Sequence, residues 1–203
     1  MNKFNEKEFI DICRKFNMEP HAEEITIRYS GNSFYNKMRN SVKRDRRGEV
    51  AFCVIRPSGK IIAITCKEYP VGVYRIPTGG IGHGEDIVNA VFREIMEELG
   101  LDVVITGFAG VLKIRFEYKN EFIMFYSYVF ILGETGGRLL LDASDDEISE
   151  VREVDIDELR EIVDFLDCIP GKWSDWGKFR YESSKAVLNY LTQRAGKNST
   201  FNV

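Results

Sequence analysis

The sequence predicts an α/β protein built as a mixed sandwich, because strand-like runs dominate the chain and only a few helices interrupt them. Apolar side chains alternate with a period of two in the strand-like runs and recur at helical spacing elsewhere. Strands and helices do not follow each other regularly, which argues against a doubly wound nucleotide fold. With 203 residues, of which 44% are hydrophobic and 30% charged, the chain can form one well-buried domain with an extension.

Residues 1–45 are predicted to form an N-terminal extension that packs on the main domain. Within it, a helix is predicted over residues 6–16, where apolar side chains recur at helical spacing, and a strand after Pro20, where they alternate. Residues 46–195 are assigned to the main domain. Residues 196–203 are expected to form a flexible tail.

A short basic segment joins the extension to the main domain. We expect a solvated connecting segment here, with phosphate binding as the alternative. Its basic side chains are Lys37, Arg39, Lys43, Arg44, Arg46 and Arg47.

The first half of the main domain is predicted to be strand-rich. Two apolar runs, 50–56 and 60–67, flank the turn residues 57–59 and predict an antiparallel pair. Residues 71–76 are expected to add a short third strand. The Pro-Thr-Gly-Gly sequence at 77–80 is expected to break the pattern.

The second half combines helices with a long hairpin. A helix is predicted over residues 86–99, and the strands 103–118 and 122–132 are expected to pair as a hairpin. Helices are also predicted over residues 155–166 and 181–194.

Bulk properties exclude several classes of protein. The net charge of −4 provides no global attraction for nucleic acid, so a nucleic-acid partner is not expected. No apolar run approaches the roughly 18 to 20 residues that span a bilayer, and the start lacks a signal-peptide core, so a cytoplasmic protein is expected. The cysteines contain no CxxC pair, and Cys53 and Cys66 are expected to be small buried hydrophobes rather than zinc ligands.

The helix predicted over residues 86–99 places three carboxylates on one stripe, those of Glu94, Glu97 and Glu98. Like charges so placed repel, and a hard divalent cation such as Mg²⁺ would neutralise them. On the helix alone, a solvated acidic face explains the pattern equally well. The opposite face is expected to pack into a core through Val88, Val91, Phe92, Ile95, Met96 and Leu99.

The stretch GGIGHGEDIVNAVFREIMEELGL, residues 79–101, resembles the Nudix box at every fixed position. Those positions are Gly79, Glu85, Arg93, Glu94, Ile95, Glu97, Glu98, Gly100 and Leu101. The resemblance implies a Nudix-type α/β/α sandwich with a mixed sheet, preceded here by the extension and followed by a C-terminal helix.

The resemblance also implies a role for each box residue. Glu94, Glu97 and Glu98 would bind Mg²⁺, with Mn²⁺ as a substitute, and Glu85 would pair with Arg93. Gly79 would allow a tight turn, and Gly100 would cap the helix at its C-terminus. Members of the family often recruit a later acidic residue, and we choose Glu147 from the acidic residues Asp145, Asp146, Glu147 and Glu150.

The expected activity is that of a Nudix pyrophosphohydrolase, a hydrolase that acts on acid anhydrides. Its substrate would be a nucleoside diphosphate linked to another moiety: a dinucleoside polyphosphate, a nucleotide sugar or a nucleoside triphosphate. Family members that cleave ADP-ribose tend to have a proline shortly after the box, so the resemblance disfavours ADP-ribose here, where no proline lies between Pro77 and Pro170. Arg75, Arg115 and Tyr118 are the candidate substrate-binding residues, and a homodimer is left open.

Alternative interpretations remain. A Nudix-fold metabolite sensor without turnover is the main one, although such modules usually lose box carboxylates. An isoprenoid diphosphate isomerase would need a cysteine and glutamate pair that is not recognisable here, and an RNA-end pyrophosphatase has only the basic segment in its favour. The aromatic residues around Trp173 and Trp176 could stack on a base, but packing of the last helix is favoured.

Overall fold

The computed structural model describes residues 3–19, 21–140 and 148–199. The described residues form a seven-stranded mixed sheet flanked by helices on both faces. In chain order the elements are α1 (Glu6–Lys15), β1 (Ala22–Arg28), α2 (Asn32–Arg44), β2 (Arg46–Ile55), β3 (Ile61–Thr65), β4 (Thr78–Gly82), α3 (Ile87–Leu99), β5 (Leu101–Tyr118), β6 (Glu121–Gly137), β7 (Glu150–Val154), α4 (Ile156–Cys168), a 3₁₀ turn (Gly171–Trp173) and α5 (Ser174–Ser199).

The sheet is mixed in direction, as predicted. Its strands lie in the order β1-β5-β6-β2-β3-β7, and β4 pairs with β2 beside β3. β5 and β6 form the long antiparallel hairpin, whereas β1 runs parallel to β5 and β2 runs parallel to β6. β2 pairs antiparallel with both β3 and β4.

Strand β2 lies at the centre of the sandwich and is buried on both faces. Val50 and Phe52 belong to one apolar cluster, with side chains from α1 and α3, whereas Ala51 and Cys53 belong to another, with α2, α4 and α5. Because successive strand side chains point to opposite faces, one strand contributes to both cores. The described residues therefore form an α/β/α sandwich.

The N-terminal residues are integrated into this sandwich. Phe9, Ile12 and Cys13 of α1 are buried in the cluster that contains α3. β1 extends the sheet by pairing with the C-terminal part of β5, from Val111 to Glu117. The described N-terminal residues thus share the core and the sheet of the sandwich.

Several predicted elements are wrong in type or bounds. Most of the basic segment forms helix α2 and is not an irregular connection, although Lys37, Lys43 and Arg44 are exposed. Residues 71–76 form no strand and contribute only a bridge between Ile64 and Arg75. The sequence at 77–80 does not interrupt the sheet, since Thr78 begins β4. The last helix begins at Ser174 and continues to Ser199, so residues 196–199 are helical.

The apolar face of α3 is narrower than predicted. Val88, Val91 and Ile95 are buried, but Phe92 and Met96 are 43% and 52% exposed. The core therefore covers only part of the apolar stripe. Among the described residues, no helix has the length and apolar composition needed to span a membrane.

Candidate active site

Strand β4 brings the glycine-rich loop against helix α3. In its pairing with β2, Gly79 lies opposite Val50 and Gly80 lies opposite Glu49. A Cβ atom at position 79 would overlap the Cγ and Cδ atoms of Glu94. Any side chain at position 79 would therefore displace the Glu94 side chain from this position.

Both ends of α3 are fixed by local sequence. The Asp86 carboxylate accepts a hydrogen bond from the Asn89 N–H at 3.0 Å and caps the first turn. Gly100 adopts a left-handed conformation with φ of 65°, and its N–H donates to the carbonyls of Ile95 and Met96. The expected C-terminal cap at Gly100 is thus present.

Arg93 ties the loop to the helix. Its Nε donates to Oε1 of Glu85 at 2.8 Å, and its Nη2 donates to Oε2 of Glu85 at 3.1 Å and to the Gly80 carbonyl at 2.8 Å. The Gly82 N–H donates to the same Glu85 carboxylate at 2.7 Å. The Glu85–Arg93 pair implied by the resemblance is present, and it organises the loop between β4 and α3.

The same guanidinium also contacts two carboxylates of the acidic stripe. Arg93 Nη1 donates to Glu94 at 2.8 Å and to Glu97 at 3.0 Å. The Glu94 side chain is 13% exposed, whereas that of Glu97 is 58% exposed. Arg93 therefore lowers the repulsion between two neighbouring carboxylates, one of them largely removed from solvent.

The carboxylates of Glu85 and Glu94 have pKa shifts of opposite sign. The hydrogen bonds from Arg93 hold the pKa of Glu85 below its usual value. Burial raises the pKa of Glu94, although Arg93 and the Gly80 N–H oppose the shift. Arg93 therefore does not fully compensate the cost of burying the Glu94 charge, and a further positive charge would stabilise the carboxylate.

Glu98 lies on the side of α3 that approaches Arg75. Arg75 is only 6% exposed and donates to the Tyr69 hydroxyl at 2.9 Å, to the Ile76 carbonyl at 2.9 Å and to the Thr78 hydroxyl at 3.1 Å. Burial alone would lower the pKa of Arg75, but Tyr69 and Glu98 are among the groups that hold it above its usual value. The candidate substrate-binding residue Arg75 is thus a buried cation beside the stripe and not a surface charge.

The residues around α3 have the donor chemistry of a site for a hard cation. Within the part of the chain that the structure describes, no group of three His, Cys, Asp or Glu side chains is arranged to hold a metal ion. Glu94, Glu97 and Glu98 nevertheless supply carboxylate oxygens on one stripe, and Glu94 is seated over the bare Cα of Gly79. Oxygen donors of this kind are those that Mg²⁺ prefers.

Sequence reasoning missed a buried polar network on the face of the sheet that packs against α5, opposite to α3. Glu49 is 1% exposed and accepts hydrogen bonds from the Ser127 hydroxyl at 2.7 Å and from Arg180 at 3.0 Å. Its residues come from β2, β6 and α5, so no local spacing connects them. One hint of this network lies in the sequence: a glutamate, Glu49, directly before the apolar run of β2.

A second missed contact joins the extension to the box loop. Arg47 donates to both carboxylate oxygens of Glu8 in α1, at 2.8 and 2.7 Å, and to the carbonyl of Glu85 at 2.6 Å. Burial would lower the pKa of Arg47, yet Glu8 holds it above its usual value. Arg47 was predicted only as one member of a basic segment.

The remaining candidate residues are not brought to α3 by any contact described for them. Arg115 donates to Glu117 and its guanidinium lies 3.5 Å from the ring centroid of Phe122, near the hairpin turn. Tyr118 ends β5 and packs against Tyr35 of α2. Their role in substrate binding stays a prediction. Glu147 lies outside the described residues.

The aromatic segment before α5 has a structural role. Trp176 is 5% exposed and belongs to the core, and its ring centroid lies 4.5 Å from that of Tyr69. Trp173 packs against both rings. The favoured interpretation, packing of the last helix, agrees with these contacts.

Comparison with known proteins gives a family match and several partial relatives. The model of the NUDIX domain matches residues 45–172. A 55-residue stretch is 38% identical to "Nudix hydrolase 27, chloroplastic" of Arabidopsis thaliana and covers 27% of this chain. The matched stretch spans only 24% of that relative's length.

Solved structures with a similar arrangement share little sequence with this chain. An ADP-ribose pyrophosphatase from Streptococcus suis is 16% identical, with a TM-score of 0.44 over 70% of this chain and 90% of that one. A UDP-X diphosphatase is 12% identical, with a TM-score of 0.48 over 96% and 73% of the two chains. A NUDIX hydrolase from Nitrosomonas europaea is 18% identical, with a TM-score of 0.45 over 68% and 88%.

The family model covers well over half of the chain, and it contains both the glycine-rich strand and the helix that carries the acidic stripe. The protein therefore belongs to the Nudix family.

Proposed function

We propose that this protein hydrolyses a pyrophosphate bond in a nucleoside diphosphate linked to another moiety, with the help of a divalent metal ion. The observation that carries the proposal is the arrangement around Gly79. The Glu94 side chain covers that glycine, and one guanidinium, from Arg93, joins Glu94 and Glu97 to the loop. The Nudix box is complete at its acidic positions, which supports an enzyme over a sensor.

Mg²⁺ is the proposed ion, with Mn²⁺ as a substitute, and Glu94, Glu97 and Glu98 are the residues that would hold it. When bound, such an ion neutralises phosphate charge and lowers the pKa of a coordinated water. The largely buried position of the Glu94 side chain suits this role, since burial penalises its charge and a cation would offset that penalty.

The other residues of the site orient the carboxylates and neutralise the charge of the substrate. Arg93 and Glu85 hold the loop in place, so that the stripe presents its carboxylates in a fixed geometry. Arg75 beside Glu98, and Arg46, whose guanidinium lies against Gly80, add positive charge near the proposed phosphate position. We assign to them the neutralisation of the polyphosphate.

The reaction proposed is substitution at phosphorus. A water oxygen forms a bond to one phosphorus atom, and the bridging oxygen leaves with the other phosphate. The proton of the water passes to a carboxylate of the acidic stripe and then to solvent.

The test is release of mononucleotide or phosphate from a panel of dinucleoside polyphosphates, nucleotide sugars and nucleoside triphosphates, with Mg²⁺, with Mn²⁺ and with chelator. Wild-type protein should cleave at least one class only when metal is present. Glu97→Gln should lose this activity, whereas Glu161→Gln, an exposed change on α4, should retain it. Tight binding of one class without cleavage would favour the sensor instead.

A further inference from the structure

A basic cleft lies beside the box loop, and the residues that precede the family domain form a large part of it. Its volume is about 490 Å³. Helix α2, which ends before residue 45, supplies one wall, and the box loop and the hairpin supply others. The polar and aromatic lining residues used below are Lys3, Arg39, Lys43, His83 and Phe122.

All titratable groups that line the described part of this cleft are basic. Lys3, Arg39, Lys43 and His83 line it, and no acidic side chain does. Arg39 is partly neutralised by Glu121, which accepts from its Nη1 at 3.1 Å. The Nε atom of Arg39 is buried and makes no hydrogen bond to any described residue. An anionic ligand in the cleft would compensate the excess positive charge.

The other side of the cleft is apolar. Phe122, Ile123 and Met124 line it together with Val42 of α2. The Phe122 ring is 37% exposed and is stacked by Arg115 at 3.5 Å, which fixes its orientation. A pocket of roughly 300 to 1,000 Å³ with apolar walls and a few converging charges is typical of sites for small organic ligands. An aromatic ring beside cationic groups matches a base joined to a phosphate.

The cleft adjoins the proposed reaction site through the box loop. His83 directly follows Gly82, which ends β4 and donates its N–H to Glu85. The carbonyl of Gly80, two residues earlier on the same strand, accepts a hydrogen bond from Arg93. A ligand held at His83 would therefore lie near the loop that positions the acidic stripe.

We propose that this cleft binds a nucleoside monophosphate unit, with the phosphate between Arg39 and Lys43 and the base on the Phe122 side. Such a unit has two chemical sources: the far end of a substrate with a nucleotide at each end, or a separate nucleotide that acts as an effector. The choice between these sources rests on the proposed hydrolase function, whereas the existence of the cleft site does not.

The first experiment measures binding of AMP, GMP and inorganic phosphate to the full chain by isothermal titration calorimetry. Lys43 is exposed, so its replacement should leave the fold intact. We expect Lys43→Gln to weaken nucleotide binding about three- to tenfold, and Lys43→Glu to weaken it further. The matched control is Lys37→Gln, the same change at an exposed position of α2 that does not line the cleft. It should bind like wild type.

A second variant separates recognition of the nucleotide from attraction of any anion. Phe122→Ala should reduce the preference for the nucleotide over inorganic phosphate and leave phosphate binding unchanged. Unchanged nucleotide affinity in both Lys43 variants would overturn the proposal. So would a stronger, steeply salt-dependent affinity for a short oligoribonucleotide, because that would assign the surface to RNA.

Kinetics distinguish the two sources. A rise in KM of Lys43→Gln for a dinucleoside polyphosphate but not for a nucleoside triphosphate would place the far end of the substrate in the cleft. If wild type and Lys43→Gln have equal KM values for the dinucleoside polyphosphate, and added AMP changes the rate of wild type but not of Lys43→Gln, the cleft binds a separate effector. If no substrate is cleaved but binding still depends on Lys43, the hydrolase function fails and the cleft site stands. If a substrate is cleaved but nucleotide binding does not depend on Lys43, the hydrolase function stands and the cleft site fails.

Discussion

The carboxylate arm of Glu94 lies directly over the Cα atom of Gly79, so close that no side chain fits between them. The contact joins the last turns of α3 to strand β4 and removes most of the Glu94 side chain from solvent. Because the glycine is held by pairing with β2, the position of the carboxylate depends on the sheet as well as on its own helix.

Replacement of this glycine should therefore displace the carboxylate. We expect Gly79→Ala to reduce kcat by at least tenfold and to destabilise the fold by about 1 to 3 kcal/mol, as overpacking usually does. Urea unfolding and steady-state kinetics measure the two effects. Gly31→Ala is the control, since the nearest atom to a Cβ there is 3.9 Å away. Wild-type activity of Gly79→Ala would contradict the close approach of Glu94.

Arg93 should contribute to both stability and rate, because it bonds to Glu85, Gly80, Glu94 and Glu97. The side chain is 37% exposed, so solvent screening limits the expected loss of stability in Arg93→Ala to about 1 kcal/mol. The loss in transition-state stabilisation, measured from kcat/KM, should be larger, since Arg93 is the side chain that joins the loop to the carboxylates of the stripe. Arg93→Lys should recover stability better than rate, because an ammonium cannot reproduce the geometry of a guanidinium. Equal recovery of both would argue against an orienting role.

Glu85 gives a stability that depends on pH in a defined direction. Its pKa is lowered in the folded state by Arg93, so the charged form stabilises the fold above its usual pKa. This contribution is lost as the pH falls through the lowered pKa. Hence the difference in unfolding free energy between wild type and Glu85→Gln should be about 1 kcal/mol near pH 7 and should shrink on acidification. A difference that grows toward low pH would contradict the assigned shift.

Arg47 and Glu8 should be energetically coupled across the boundary between extension and domain. Both side chains are about one-fifth exposed and they form two hydrogen bonds. A double-mutant cycle with Glu8→Gln and Arg47→Gln should yield a coupling of about 1 kcal/mol. Arg14→Gln and Asp11→Asn, from an exposed pair on the same helix, form the control cycle and should show less. Strict additivity at Glu8 and Arg47 would disprove the link.

The sequence was sufficient for those features that are encoded locally. Helix α3 has Asp86 and Gly100 at its ends and apolar side chains at helical spacing between them, so both its bounds and its acidic stripe were predictable. The hairpin of β5 and β6 was predicted because each strand is long and β-rich around a short turn.

Features that depend on distant partners were not predictable. Strand β4 contains three glycines in TGGIG, and it forms a strand because the backbone of β2 pairs with it. Glu49, Ser127 and Arg180 meet only after the sheet and α5 have assembled. Phe92 and Met96 were placed in the core because a helical wheel gives angular position but not the limit of the neighbouring core.

The parallel pairing of β1 with β5 has a practical consequence. β5 is 18 residues long, and β1 covers it from Val111 to Glu117 on the side away from β6. A shortened protein limited to residues 45–172 would expose these backbone amides and carbonyls as an open edge. It would also lack α5, whose Phe179 and Val187 are buried in the core. Open edges of this kind recruit other chains. Such a fragment is therefore expected to self-associate, and preparations for biophysical work should retain both flanking segments.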